Sequence, residues 1–200
     1  MNKAARKQSI LLSCLMLLLC GGCKDPVPIA KLYFAPIGSA PMDQIYDLVE
    51  HYQTKFNVHV QVLPKMDVGE PIFDSGRNQF IAEDLIQSML RSYPNVARDE
   101  SAVIIGITGQ DMYPRGEDWQ FCFGWRTPKL RAAVVSTARM DLHYPGEPGF
   151  EATVTKRLRK VVTKDIGILY YRKSVNGNPK SVLYSGILGI QELDQVSEDF

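Results

Sequence analysis

The order of apolar patterns along the chain predicts an α/β domain, layered around a largely parallel sheet. Three observations carry that prediction. Ile45, Leu48, Val49, Tyr52 and Phe56 recur at helical spacing. Val58, Val60 and Val62 then alternate strictly with polar residues, as a half-buried strand does. Residues 102–107 and 132–135 are continuous apolar runs, the pattern of strands covered on both faces.

Taken in order, residues 32–37 form a short apolar strand closed by Gly38. Ser39 is a candidate helix cap and Pro41 suits a first helical turn. The helix of Ile45 to Phe56 and the valine strand follow. Residues 64–77 hold Pro, Gly and Asp and read as a loop. A second helix is predicted from about Asn78 to Ser92, with Ile81, Leu85 and Met89 turned inward. After the 102–107 strand, Trp119, Phe121 and Phe123 alternate with polar or small residues. The 132–135 strand comes next, then a loop with Pro145, Gly146, Pro148 and Gly149. A third helix carries Val154, Leu158, Val161, Val162 and Ile166. Its basic run, Lys156-Arg157-Leu158-Arg159-Lys160, reads as a solvated helix face. No internal repeat or low-complexity segment interrupts the series.

The first residues carry a different signal. Lys3, Arg6 and Lys7 precede an apolar stretch over residues 10–20, followed by Gly21-Gly22-Cys23. A positive segment, a short apolar core and small residues before a cysteine are the parts of an export signal. The stretch is shorter than the ~20 residues a spanning helix needs. Gly21-Gly22-Cys23 resembles the bacterial lipobox, so residues 1–22 are expected to be a lipoprotein signal peptide, with Cys23 lipidated as the first mature residue. Cys20 stands where the lipobox usually has leucine, and an ordinary secretory signal or an uncut anchor stays open as an alternative. Residues 23–30 read as the lipidated cysteine and a tether, and residues 31–200 as one domain. Lys24, in place of the aspartate associated with inner-membrane retention, favours the outer membrane of a Gram-negative envelope.

Composition narrows function further. The chain carries 23 Lys and Arg against 22 Asp and Glu, and three of the basic residues belong to the leader. No basic surface for nucleic acid follows from such a balance. With Cys23 acylated, Cys122 is the one thiol left in the body, set between Phe121 and Phe123, and it reads as a small buried hydrophobe. There is no Ser-His-Asp grouping, phosphate-binding glycine loop or paired-cysteine metal site. His51, His59 and His143 have no ligand spacing.

Several segments in order resemble the archaemetzincins, a family of metzincin-type zinc metallopeptidases. They are Tyr33-Phe34-Ala35-Pro36-Ile37-Gly38, Val60-Gln61-Val62-Leu63-Pro64 and Arg77-Asn78-Gln79-Phe80-Ile81-Ala82, followed by Ile105-Gly106-Ile107-Thr108-Gly109-Gln110-Asp111-Met112-Tyr113, Phe121-Cys122-Phe123-Gly124 and residues 131–139. The resemblance implies a metzincin-like mixed, mostly parallel five-stranded sheet with packed helices. It also implies a zinc motif, His-Glu-x-x-His-x-x-Gly-x-x-His, on the following helix. Histidines four apart share a helical face and reach one metal, and the glutamate polarises the metal-bound water.

Laid on this chain through Gly167, the ligand positions of that motif are Lys164, Ile168 and Ser174, the glutamate position is Asp165 and the turn glycine is Tyr171. No register brings in an imidazole, because residues 144–200 contain no histidine. Residues 181–184 resemble the family's methionine turn with Leu183 for methionine, and the sequence ends at Phe200 without the distal cysteine pair of a structural zinc. The expectation is therefore a degenerate site with no catalytic residue, no metal and no cofactor. By the resemblance, the segment Trp119, Phe121, Phe123 and Gly124 would be the edge strand against which a peptide lies. The expected function is a membrane-anchored lipoprotein whose archaemetzincin-like domain binds a peptide or envelope protein, or serves as envelope structure. The alternative is an active metallopeptidase or other hydrolase with a rebuilt site, in which Lys164, Asp165, Tyr170 and Tyr171 cluster in sequence.

Overall fold

A computed structural model describes residues 31–69, 72–141 and 149–200. The leader, Cys23, the tether and His143 lie outside the described residues. Strand β1 (Lys31–Ile37) sits inside a five-stranded sheet, flanked by β2 (Val60–Val62) and β5 (Ala102–Thr108). Beyond β5 come β8 (Ala132–Ser136) and then β7 (Gly124–Thr127) at the edge. Every pairing is parallel except β7 with β8, so the sheet is mixed and mostly parallel, as predicted.

The alternation of side chains along the central strands explains the layers. Val103, Ile105, Ile107, Ala133 and Val135 enter one core with α1 (Met42–Phe56) and α4 (Phe150–Leu169). Ile104, Ala132 and Val134 enter the other with α2 (Ala82–Ser92). Successive strand residues point to opposite faces, so a strand buried on both sides must be apolar throughout. The remaining elements are short: β3 (Phe73–Asp74), β4 (Gln79–Ile81), β6 (Met112–Tyr113), α3 (Pro94–Ala97) and α5 (Ile190–Gln195). Strands β3, β4 and β6 form a separate three-stranded ribbon.

Three local expectations are corrected. The second helix begins at Ala82 rather than Asn78, because Asn78 takes the left-handed conformation and Phe80 N–H bonds Asp111 O at 2.8 Å, drawing Gln79–Ile81 into the ribbon. Ser39 does not cap α1. Its carbonyl instead accepts from Gly109 N–H at 3.2 Å, an approach that a Cβ at Gly109 would block at 2.5 Å, and Pro41 holds the capping position.

The third correction concerns the basic run of α4, which is no solvated face. Arg157 is buried, pairs with Asp194 at 2.6 Å and donates to Met140 O at 2.7 Å. Lys160 is buried and donates to the carbonyls of Leu193 and Asp194, both at 2.9 Å. Arg159 reaches Asp47 on α1. The helix is covered by α1 on one flank and the C-terminal segment on another. Arg157, Arg159 and Lys160 persist there because each has a hydrogen-bonding partner.

Candidate functional site

The expected edge segment divides at Gly124. Residues 119–123 are not a strand, because side chains take the carbonyls of Trp119 and Gln120 and the Cys122 N–H is spent on the ribbon. Arg77 donates to the carbonyls of Trp119 (3.1 Å) and Gln120 (3.0 Å), and Gln79 donates to Gln120 O at 2.9 Å. Cys122 N–H bonds Met112 O at 2.9 Å. The segment is a pinned rim, with Trp119 against Trp125 edge-to-face and Phe121 likewise against Phe123. Trp119 is exposed while Cys122 and Phe123 are buried. Burial pushes the Cys122 thiol up to about 12, which keeps it protonated and unreactive.

The strand edge itself is β7. Ser136 N–H donates to Phe123 O at 2.9 Å, in register with the Trp125–Val134 and Thr127–Ala132 pairs. In an antiparallel ladder the bonded pairs alternate, so the N–H and C=O of Gly124 and Arg126 point away from β8.

Beside this edge lies a groove of about 530 Å³, closed by Val161 and Lys164 of α4 and by Ser185, Ile187 and Leu188. Two of the positions that the resemblance assigns to the zinc motif lie at this groove, Lys164 in its lining and Asp165 buried behind it. Asp165 is fully buried and accepts from Arg126 Nε at 2.5 Å through Oδ1, while Oδ2 has no hydrogen-bond partner. Burial raises its carboxyl above the usual range, opposed by the Arg126 guanidinium. Lys164 lines the groove, and its ammonium donates to Tyr184 O. Burial, reinforced by Arg126, lowers its pKa to about 8, while Asp165 opposes the shift.

The other motif positions are elsewhere. Ile168 packs against the α1–α4 core. Helix α4 ends at Leu169, the chain reverses through a left-handed Arg172, and Ser174 is exposed beyond it. Leu183 packs below the helix where a Cβ on Gly167 would meet it at 2.9 Å. His51 contacts the Tyr52 and Phe56 rings on α1. His59 is exposed beside β2, at the opposite edge of the sheet from β7. Arg126 and the Tyr184 carbonyl were invisible to sequence reasoning, since neither residue type nor spacing marks a partner 39 or 20 positions away.

No family model matches the chain. It is 26% identical over 155 residues to an archaemetzincin of Pyrococcus furiosus, covering 74% of this chain and 77% of that protein. It is 28% identical over 141 residues to the archaemetzincin of Thermococcus kodakarensis, covering 70% and 75%. The crystal structure of an archaemetzincin from Archaeoglobus fulgidus, complexed with malonate, superposes with a TM-score of 0.65 at 24% identity over 85% of this chain and 94% of that one. The chain is archaemetzincin-like.

Zinc, which the resemblance implies, does not fit the residues present in this archaemetzincin-like site. At the position the resemblance assigns to a first ligand stands an ammonium engaged with a carbonyl, a guanidinium lies nearby, and the one carboxylate there is committed through Oδ1 to that guanidinium. Among the described residues no three His, Cys, Asp or Glu side chains converge. A dication would face two fixed cations at close range in a medium of low dielectric.

Proposed function

We propose that this chain is an envelope lipoprotein, tethered through Cys23, whose archaemetzincin-like domain holds an extended peptide segment without cleaving it. The observation that carries this reading is the juxtaposition of β7 and the groove. The outward N–H and C=O of Gly124 and Arg126 can pair with a partner backbone, and the aromatic rim from Trp119 to Phe123 offers apolar contact. Strand addition of this kind draws affinity from main-chain bonds and selectivity from side-chain pockets. The groove offers room for a peptide, and Lys164 stands where the resemblance puts a zinc ligand.

A second reading is favoured by one observation. Lys164 sits in the groove with its pKa lowered to about 8, which is the tuning an acid–base lysine needs. A rebuilt hydrolytic site would use it.

One experiment separates the two. The full chain, purified in detergent without a histidine tag, is incubated with a library of fluorescent-quenched heptapeptides, and zinc is quantified by elemental mass spectrometry. Binding without cleavage, and zinc far below one per chain after loading and desalting, is the expected result. Cleavage abolished by Lys164→Met would establish the rebuilt hydrolase. Stoichiometric zinc with chelator-sensitive cleavage would restore metallopeptidase activity and overturn the proposal. Lipid attachment is tested apart from this, by labelling cells with an alkyne-bearing fatty acid and comparing the chain with Cys23→Ala.

A further inference from the structure

The charges around the groove do not balance. Arg126 is matched by Asp165, with Nε to Oδ1 at 2.5 Å. Lys164 has only a carbonyl, that of Tyr184, as its hydrogen-bond partner, and no carboxylate lies within ion-pair distance of its ammonium among the described residues. An ammonium has three donors, so two remain. Its side chain is largely withdrawn from water yet forms part of the groove lining. A desolvated cation with spare donors is costly unless a counter-charge completes it.

The position of that cation along the groove matters as much as its sign. Asp165 Oδ2 lies 3.6 Å from where a Cβ on Gly124 would stand, and Asp165 Oδ1 meets Arg126. Lys164, its neighbour on α4, shares the groove lining with Gly124, Trp125 and Arg126 of β7 and with the rim residues that precede them. A peptide paired with β7 crosses the lysine with chain continuing on both sides. The same lining carries apolar side chains, Phe121 and Phe123 from the rim and Ile187 and Leu188 from the C-terminal segment.

Resting on the peptide-binding reading above, we propose that the groove selects an internal acidic residue, a Glu or Asp side chain of the extended segment, whose carboxylate completes the coordination of the Lys164 ammonium. The flanking peptide residues are apolar. A carboxylate at the ammonium supplies the missing counter-charge, and charge-assisted bonds in such a site are the strong ones. A chain-terminal carboxylate would serve the same chemistry, but it would halt the peptide midway along the available strand edge.

The test uses three sets of heptapeptides with identical randomised apolar flanks, presented to the full chain and read by fluorescence polarisation. One set is N-acetylated and C-amidated with Glu at the centre, the second is the same with Gln, and the third is Gln-centred with a free C-terminal carboxylate. The Glu set is expected to bind about tenfold or more tightly than the amidated Gln set, in line with a single charged hydrogen bond. In Lys164→Met that ratio is expected to fall to about one, with the thermal melt showing whether the variant is folded. Because the first comparison changes the peptide and leaves the protein alone, it stands even if the variant does not fold. Equal binding of the two amidated sets overturns the carboxylate inference and leaves the peptide groove intact. Preference for the free-acid set overturns the internal position in favour of a terminal carboxylate. A Glu preference that persists in folded Lys164→Met overturns the assignment to this lysine. Failure of all three sets to bind overturns the peptide-binding reading itself, and this inference with it.

Discussion

Arg126 Nε and Asp165 Oδ1, 2.5 Å apart, tie the edge strand of the sheet to the helix that crosses behind it. Asp165 is fully buried whereas the Arg126 side chain is about a quarter exposed. In the related peptidases, the resemblance implies, a metal joins this helix to the segments that follow it. Here the joining is done by side chains: Arg126 to Asp165 across to β7, and Lys164 to Tyr184 O across to the segment resembling the methionine turn.

The asymmetry of burial sets the first prediction. Arg126→Ala leaves a wholly buried carboxylate without its counter-charge and is expected to destabilise the fold by about 3–5 kcal/mol. Replacing both partners with apolar residues, Arg126→Met with Asp165→Leu, is expected to restore most of that loss, since neither desolvated charge then remains. Urea unfolding of Arg126→Met, of Asp165→Leu and of the pair measures the coupling directly.

Helix α4 supplies a second contrast. Lys156 and Lys160 lie one turn apart in the same basic run. Lys156 is exposed, while Lys160 is buried with its ammonium on the carbonyls of Leu193 and Asp194. Lys160→Met is expected to cost about 1–3 kcal/mol, the penalty for stranding buried carbonyls. Lys156→Ala should fall within about 0.5 kcal/mol of the parent. Equal small effects in a thermal or chemical melt would return the run to a solvated face.

This contrast also marks what the sequence disclosed. Alternation at Val58, Val60 and Val62 and the apolar runs at 102–107 and 132–135 predicted the strands, because a strand's burial is written in its own residues. The partners of Arg157, Arg159 and Lys160 are Asp194, Asp47 and the Leu193 carbonyl, between 33 and 112 positions away. No local period encodes them, so a buried cationic helix reads as a surface one. The same holds at the groove. The motif positions Lys164 and Asp165 were visible by resemblance, whereas Arg126, which donates to Asp165, was not. The 119–123 segment failed as a strand for a related reason: its alternating aromatics are real, but Arg77 and Gln79 occupy the carbonyls of Trp119 and Gln120.

Gly124 lies where β7 comes close to α4. A Cβ there would stand 2.9 Å from Val161 Cγ1. Gly124→Ala is expected to push β7 from α4 and destabilise by about 1–3 kcal/mol through overpacking. Val161→Ala in the same chain removes the obstructing methyl, so the double variant should recover part of the loss. A purely additive pair in denaturant unfolding would show that the contact does not govern the spacing.

The titration of Lys164 links stability to binding. Its pKa falls from the ordinary lysine value of 10.5 to about 8, first through burial and then through Arg126, with Asp165 pulling the other way. Below about pH 8 the folded and unfolded chains both hold the proton. Between about 8 and 10.5 the unfolded chain holds a proton that the folded chain has released, so the contribution of this lysine to stability rises with pH across that window. Peptide affinity should move in the opposite direction. A carboxylate in the groove needs the ammonium, so the advantage of Glu over Gln peptides is expected to decline as pH rises through about 8. The other groups facing this centre are the Arg126 guanidinium, the buried Asp165 carboxyl and the Cys122 thiol held up near 12. Binding of the Glu peptide near pH 8.5 should therefore take up protons, because the bound carboxylate raises the lysine pKa. Calorimetry in two buffers of different ionisation enthalpy reads that uptake, and Lys164→Met should abolish it. A Glu advantage that stays flat from pH 7 to 10 would place the cation that binds the carboxylate somewhere other than Lys164.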